Sequence, residues 1–169
     1  IKYTWTILSD QSDLSDLTGY ADQTKAISEI SQNITNLSNE TKTITYEVIP
    51  VSGTCIGEAF QVKVIVNPKP IIKNMIASPI CSEETFLVSP QNGVPDGNTI
   101  IPAGTTYTWT VDDNPNITGE TDQAVEQDEI SQTLINTSSE TQTLTYKVIP
   151  NSDGCKGDPF EILVEVKPR

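Results

Sequence analysis

Three thiols, 23 carboxylates and no imidazole set the chemistry open to this chain. Without histidine there is no Ser-His-Asp or Cys-His machinery, no imidazole proton shuttle and no histidine zinc site. Paired acids hydrolyse glycosidic bonds when a cleft raises the pKa of one of them, and nothing in the residue pattern marks a cleft. Hard oxygen ligands crowded into a loop are what calcium takes. Asp10, Asp13 and Asp16, spaced by three, and the adjacent Asp112 and Asp113 are the candidates for that role. The twelve-residue EF-hand pattern is absent, and a solvated acidic loop accounts for the same residues. The expectation is a non-catalytic chain with no assigned metal and no cofactor. Cys55, Cys81 and Cys155 fit no CxxC or zinc-ribbon spacing, and their odd number points to a free thiol or a missing partner.

The elements that position these groups sit in a chain of 169 residues with a formal charge of −13. Phosphate backbones and anionic lipid surfaces repel such a chain, which disfavours nucleic acid and membrane-surface partners. No apolar run approaches the roughly 18–20 residues that span a bilayer, so the chain is not expected to cross one. Ile1-Lys2-Tyr3-Thr4-Trp5 is not a signal peptide and the only methionine is Met75, so the sequence reads as a piece of a longer protein.

The chain repeats itself. Ile30–Pro50 and Ile130–Pro150 share 13 identities in 21 positions at an offset of 100. The register continues through Cys55/Cys155, Gly57/Gly157 and Phe60/Phe160 to Pro68/Pro168. Upstream, Tyr3-Thr4-Trp5-Thr6 matches Tyr107-Thr108-Trp109-Thr110 at an offset of 104, so the first copy carries four extra residues between Ile7 and Ile30. Two copies of one module follow, residues 1–70 and 71–169, and the first is expected to lack its N-terminal part. A bridge between Cys81 and Cys155 within the second copy would leave Cys55 unpaired in this fragment, and a loop of that length stabilises by about 4 kcal/mol. A Cys55–Cys81 bridge would instead staple the copies together. Either bridge implies an oxidising, extracytoplasmic compartment.

Period-two alternation describes strands at Tyr107/Trp109/Val111, Leu144/Tyr146/Val148 and Phe160/Ile162/Val164/Val166, and at their counterparts in the first copy. Glu84–Val88 and Thr99–Ile101 read as further strands around a Val94–Asn98 turn. Ile27, Ile30, Ile34 and Leu37 fall at helical spacing, but their Ser, Asn and Thr neighbours are poor helix formers. Ile30–Thr35 and Ile130–Ile135 are therefore expected as strands. Short Thr- and Val-rich strands separated by turns specify an all-β fold, two tandem immunoglobulin-like β-sandwiches. Asn67-Pro68-Lys69-Pro70 is expected as a stiff linker. Trp5, Trp109, Tyr46, Tyr146, Phe60 and Phe160, equivalent aromatics on apolar strand faces, are assigned to the core rather than to a sugar-binding platform. Asn33, Asn36, Asn39, Asn116 and Asn136 open Asn-x-Ser/Thr triplets, which mark exposed turns.

Tyr-Thr-Trp-Thr, then Ile-Ser-Gln, Thr-Tyr-x-Val-Ile-Pro, Cys-x-Gly-x-x-Phe and Asn-Pro-Lys-Pro occur in order, and together they resemble the PKD-like repeats of Bacteroidetes. Those repeats form long tandem arrays in very large secreted surface proteins, including gliding-motility adhesins of the SprB kind. The resemblance implies an extracellular, cell-surface chain exported by the type 9 route, with the disulfide pairing Cys81 to Cys155. It implies structural stalk repeats whose partners are the neighbouring repeats, with surface polysaccharide or the secretion and motility machinery beyond them. A spacer or binding module in a secreted polysaccharide-degrading enzyme is the alternative.

Overall fold

Hydroxyl and apolar side chains alternate along this chain because one face of each sheet is wet and the other packed. The computed structural model describes residues 1–8 and 13–169 and contains no helix among them. It divides into two compact units, Ile1–Pro68 and Lys69–Arg169.

Unit 1 holds β1 (Lys2–Ile7), β2 (Leu17–Thr18), β3 (Gln23–Ile27), β4 (Thr35–Asn36), β5 (Lys42–Ser52), β6 (Cys55–Ile56) and β7 (Phe60–Val66). Its main sheet runs β3-β1-β5, with β6 and β7 both paired to β5, and β2 pairs β4 apart from it. Unit 2 holds β8 (Met75–Ile76), β9 (Ile80–Cys81), β10 (Glu84–Val88), β11 (Thr106–Val111), β12 (Ile117–Thr118), β13 (Gln123–Gln127), β14 (Ile130–Asn136), β15 (Gln142–Ser152), β16 (Cys155–Lys156) and β17 (Phe160–Lys167). Its main sheet runs β13-β11-β15-β17, and β8 and β9 add in parallel to the outer edge of β17. A second layer, β10-β14-β12, closes the sandwich.

The shared registers show one module. Trp5 lies opposite Val48 as Trp109 lies opposite Val148, and Phe60 opposite Val48 as Phe160 opposite Val148. The Leu8 N–H donates to Thr45 as the Asp112 N–H donates to Thr145, an offset of 104. Leu17 donates to Leu14 as Ile117 donates to Asn114, an offset of 100. The four extra residues of the first copy therefore lie between Leu8 and Leu14.

Unit 2 has a core of Phe86, Tyr107, Trp109, Ile130, Leu134, Tyr146, Phe160 and their neighbours. Phe86 stacks at a tilt on Tyr146, ring centroids 5.0 Å apart. Ile130, Gln132, Leu134 and Asn136 share the inward face of β14. Unit 1 has a smaller core around Trp5, Leu17, Ile44, Tyr46 and Val48.

Two expectations fail in unit 1, for one reason. Phe60 is 43% exposed where Phe160 is 1% exposed. Only Thr35, with Asn36, is in a strand, so the expected Ile30–Thr35 strand is not formed there. In unit 2, β14 takes its ladder bonds from β10, and β17 is flanked by β8 and β9. Unit 1 has no counterpart of β8, β9 or β10 among the described residues. A strand whose N–H and C=O groups have no neighbour to pair with does not persist as a strand. In unit 2, Thr99–Ile101 contributes only a single bridge, Ile100 to Ile71, rather than a strand.

The pair of phenylalanines is an internal control. Phe160→Ala should destabilise unit 2 by about 3–5 kcal/mol in chemical denaturation, while Phe60→Ala should cost unit 1 less than about 1 kcal/mol. Equal losses would contradict the difference in burial.

Candidate functional site

Several polar side chains that the two copies share are spent on the fold. The Trp5 indole N–H donates to the Ala21 carbonyl (3.1 Å) and that of Trp109 to Thr121 (3.2 Å). Asp22 accepts the Ile7 N–H (2.8 Å) and Asp122 the Val111 N–H (2.9 Å), beside the register shift that β1 and β11 each make against their neighbours. The Tyr46 hydroxyl donates to Gln32 Oε1 (2.5 Å) and the Tyr146 hydroxyl to Gln132 Oε1 (2.8 Å). Burial raises the pKa of Tyr46 and Tyr146 above the usual phenol value, and pushes Tyr107 up to about 12. Gly119, at φ 97°, faces the Thr133 carbonyl with no room for a Cβ, and Gly19 faces Asn33 in the same way.

The largest of these devices is an asparagine clip. Asn136 Nδ2 donates to the carbonyls of Glu140 (2.8 Å) and Val166 (2.9 Å). Its Oδ1 accepts from the Ser138 N–H (2.9 Å) and hydroxyl (2.8 Å). One amide thereby ties the end of β14 to the end of β17 and shapes the turn between β14 and β15. Asn36 makes the same four bonds to Glu40, Val66 and Ser38. Both asparagines are buried, which corrects the reading of their triplets as exposed turns. Their amide nitrogens carry two hydrogen bonds each and are not presented to a modifying enzyme. Asn33, Asn39 and Asn116 are exposed.

The carboxylates do not converge. Asp10 lies outside the described residues. Asp13 accepts the Ser15 N–H at 2.9 Å, and this bond holds its carboxyl below the usual range. Asp16 lies 3.4 Å from the Lys42 ammonium, a cation where a calcium site would need another oxygen. In unit 2 the pair becomes neutral, since Asn116 Nδ2 donates to Gln142 Oε1 at 3.5 Å. Asp112 and Asp113 are exposed. No cluster of three or more His, Cys, Asp or Glu that could hold a metal occurs among the described residues.

The cysteine pairing is corrected by the register. Cys155 lies opposite Ser152 across a hairpin whose two loop residues, Asp153 and Gly154, both have positive φ. Cys81 lies opposite Lys167, at the far end of β17. Its neighbour Ile80 is level, through Val166, with Gln142, ten residues from Ser152 along β15. At about 3.3 Å per residue the separation is roughly 30 Å, against a Cα–Cα limit of about 7 Å for a disulfide. All three cysteines are free, so no oxidising compartment follows from them.

Among the concavities of the described residues, one on each unit borders the shared strands around the tryptophan. On unit 2, Thr108, Thr110, Asp122, Glu126, Lys147 and Asn151 border a 430 Å³ cleft on the outer face of the sheet. Its Glu126 carboxylate accepts from Asn151 Nδ2 at 2.6 Å. On unit 1, Trp5, Ile30, Gln32, Ile34, Tyr46, Val62 and Val64 line a 280 Å³ groove. Aromatic and aliphatic residues from the copy's core face this groove, so the solvent contact belongs to positions that unit 2 keeps dry.

The PKD-like domain family matches the chain twice, over residues 1–70 and 78–169. The chain belongs to the PKD-like domain family. No curated protein sequence matches it. Among solved structures, the FN1–FN3 domains of chicken CNTN1 are similar at 12% identity and a TM-score of 0.34, covering 99% of this chain and 56% of that one. The tandem Ig repeats of Dlar are similar at 13% identity and a TM-score of 0.32, covering 99% of this chain and 82% of that one. The chain thus spans little more than half the length of the CNTN1 structure. The fold is all-β, two tandem PKD-like β-sandwich repeats, with no counterpart of β8, β9 or β10 in the first among the described residues.

Two outcomes follow for the PKD-like pair. Asn136→Ala should destabilise unit 2 by about 1–3 kcal/mol in chemical denaturation, because it strands the buried Val166 carbonyl and loosens the turn at Glu140. Asn136→Asp should be at least as damaging, since a carboxylate would face those carbonyls; full tolerance of either change would refute the clip. Alkylation of unreduced protein in denaturant should label all three cysteines, and a peptide linking Cys81 to Cys155 would overturn the register.

Proposed function

We propose that these PKD-like repeats are non-catalytic stalk segments of a large secreted adhesin, exposed at the cell surface and related to gliding-motility adhesins. Their partners are neighbouring repeats of the same chain, with surface polysaccharide or the secretion and motility machinery engaged elsewhere in the parent protein. The observation that supports this reading is the division of labour between the copies. The indole, tyrosine–glutamine, aspartate and asparagine bonds recur at equivalent positions, and each of them holds strands or turns together. The loop chemistry varies, as where the Asp16–Lys42 ion pair gives way to Asn116 and Gln142. Repetition has kept what resists separation of the strands. A charge of −13 keeps neighbouring filaments apart.

Single-molecule pulling on the chain tests the mechanical part. Unit 2, Lys69–Arg169, should give one sharp unfolding event, lengthening the chain by about 3.5 Å for each residue released. Gradual extension without a force peak would sink the stalk reading. Antibodies raised against the chain should label intact cells, and labelling only after permeabilisation would sink the surface location.

A further inference from the structure

The outer face of the unit 2 sheet carries side chains that the fold does not use. The floor of its 430 Å³ cleft is β11, whose Thr108 and Thr110 lie opposite Ile149 and Lys147 of β15. The other wall is β13, and Lys156 enters from β16, where it lies opposite Asn151. Glu126 of β13 and Asn151 of β15 stand on either side of β11, and their 2.6 Å hydrogen bond bridges the strand between them.

The floor is common to both copies and the walls are not. Thr4, Thr6 and Ile49 stand in unit 1 where Thr108, Thr110 and Ile149 stand in unit 2. The four residues that give the cleft its charge and polarity, Glu126, Lys147, Asn151 and Lys156, are replaced there by Ala26, Glu47, Val51 and Ile56. With those replacements β1 and β5 keep the register of β11 and β15, so the sheet forms without them. Asn151 even carries a cost, because its Oδ1 is buried without a partner. The two lysines are equally unspent. Lys69, Lys73 and Arg169 of unit 2 pair with Asp158, Asp96 and Glu83, whereas Lys147 and Lys156 are exposed and make no ion pair among the described residues. In a chain of net charge −13, two unpaired ammonium groups on one cleft reverse the charge locally.

We propose that this cleft binds an acidic saccharide, a short run of uronate sugars, with a sugar carboxylate on Lys147 and Lys156. An ammonium group donates and never accepts, so the lysines hold the anionic group through charge-assisted bonds. A carboxylate only accepts, so Glu126, which gives one oxygen to Asn151, uses the other for a ring hydroxyl and favours a polyol over a bare anion. The hydroxyls of Thr108 and Thr110 donate or accept beneath the ring. The volume falls in the range of about 300–1,000 Å³ common to small-ligand sites. An extended peptide is poorly served, because β11 is paired on both edges and its main chain has no ladder bonds to offer. This site is additional to whatever the parent protein engages elsewhere, and unit 2 alone of the pair carries it.

Titration of trigalacturonate into the full 169-residue chain, labelled with nitrogen-15, tests the proposal. Saturable shifts are expected at the amides of Thr108, Thr110, Glu126, Lys147 and Lys156, with none at Thr4, Thr6 or Glu47. The methyl ester of the same trisaccharide keeps every ring hydroxyl and loses the charge, and should bind about tenfold more weakly or worse. That comparison leaves the protein unaltered. Lys147→Glu combined with Lys156→Ile, which installs the residues of unit 1, should weaken binding of the acid by about tenfold or more. No saturable binding, equal binding by the methyl ester, full binding by the double variant, or tighter binding of hexaglutamate at the same amides (an acidic peptide as the occupant) would each overturn it.

Discussion

The apolar face of the long central strand must be covered, and the rest of the structure depends on what covers it. In unit 2 the Phe86 ring meets Tyr146 and seals that face. Once it is sealed, Ile130, Leu134, Tyr146, Ile162, Val164 and Val166 are essentially dry, at about 25 cal/mol for each Å² of apolar surface removed from water. Covering and strand formation are one event, because β10 brings both the phenylalanine and the ladder partner that β14 needs. Unit 1 repeats the central strands in the same register, yet Phe60 and Ile30 stay partly wet and residues 30–34 form no strand. Equivalent positions in the same register thus differ in burial, and among the described residues the difference tracks one additional layer.

Polar chemistry in this PKD-like pair serves that packing. A sandwich has long strands but few ways to lock their ends, and the buried Asn36 and Asn136 do so by bonding at once to a strand carbonyl and to a turn carbonyl. Each tryptophan keeps its indole N–H satisfied while its rings fill the core, which removes the cost of burying a donor. The tyrosine hydroxyls find glutamine for the same reason. These side chains bear the donors and acceptors that a ligand site would use, and here they are occupied by the protein itself.

Much of this was legible in the residues. The long alternations around Trp109, Tyr146 and Phe160 specify strands because a half-wet sheet tolerates only period two, and the internal repeat specifies two modules. Burial was less legible, because a core position needs neighbours from elsewhere in the chain; Phe60 has the pattern of Phe160 without its surroundings. The Asn-x-Ser triplet at Asn136 carries two meanings, and the serine that makes it a glycosylation triplet is the one that caps the turn. Counting thiols paired Cys81 with Cys155, whereas Asp153-Gly154 places Cys155 at a hairpin tip. Short strands such as β8 and β12 leave no periodicity to read, since two residues cannot show one.

The central claim is that the layer carrying Phe86 decides which of the equivalent positions are buried and paired. Native-state hydrogen exchange, resolved by residue, compares the two copies within a single molecule. Amides of Ile130–Asn136 and of β17 should exchange far more slowly than their equivalents in residues 30–34 and in β7, while β5 and β15 stay more nearly alike. Equal protection at residues 30–34 and 130–134 would contradict the account.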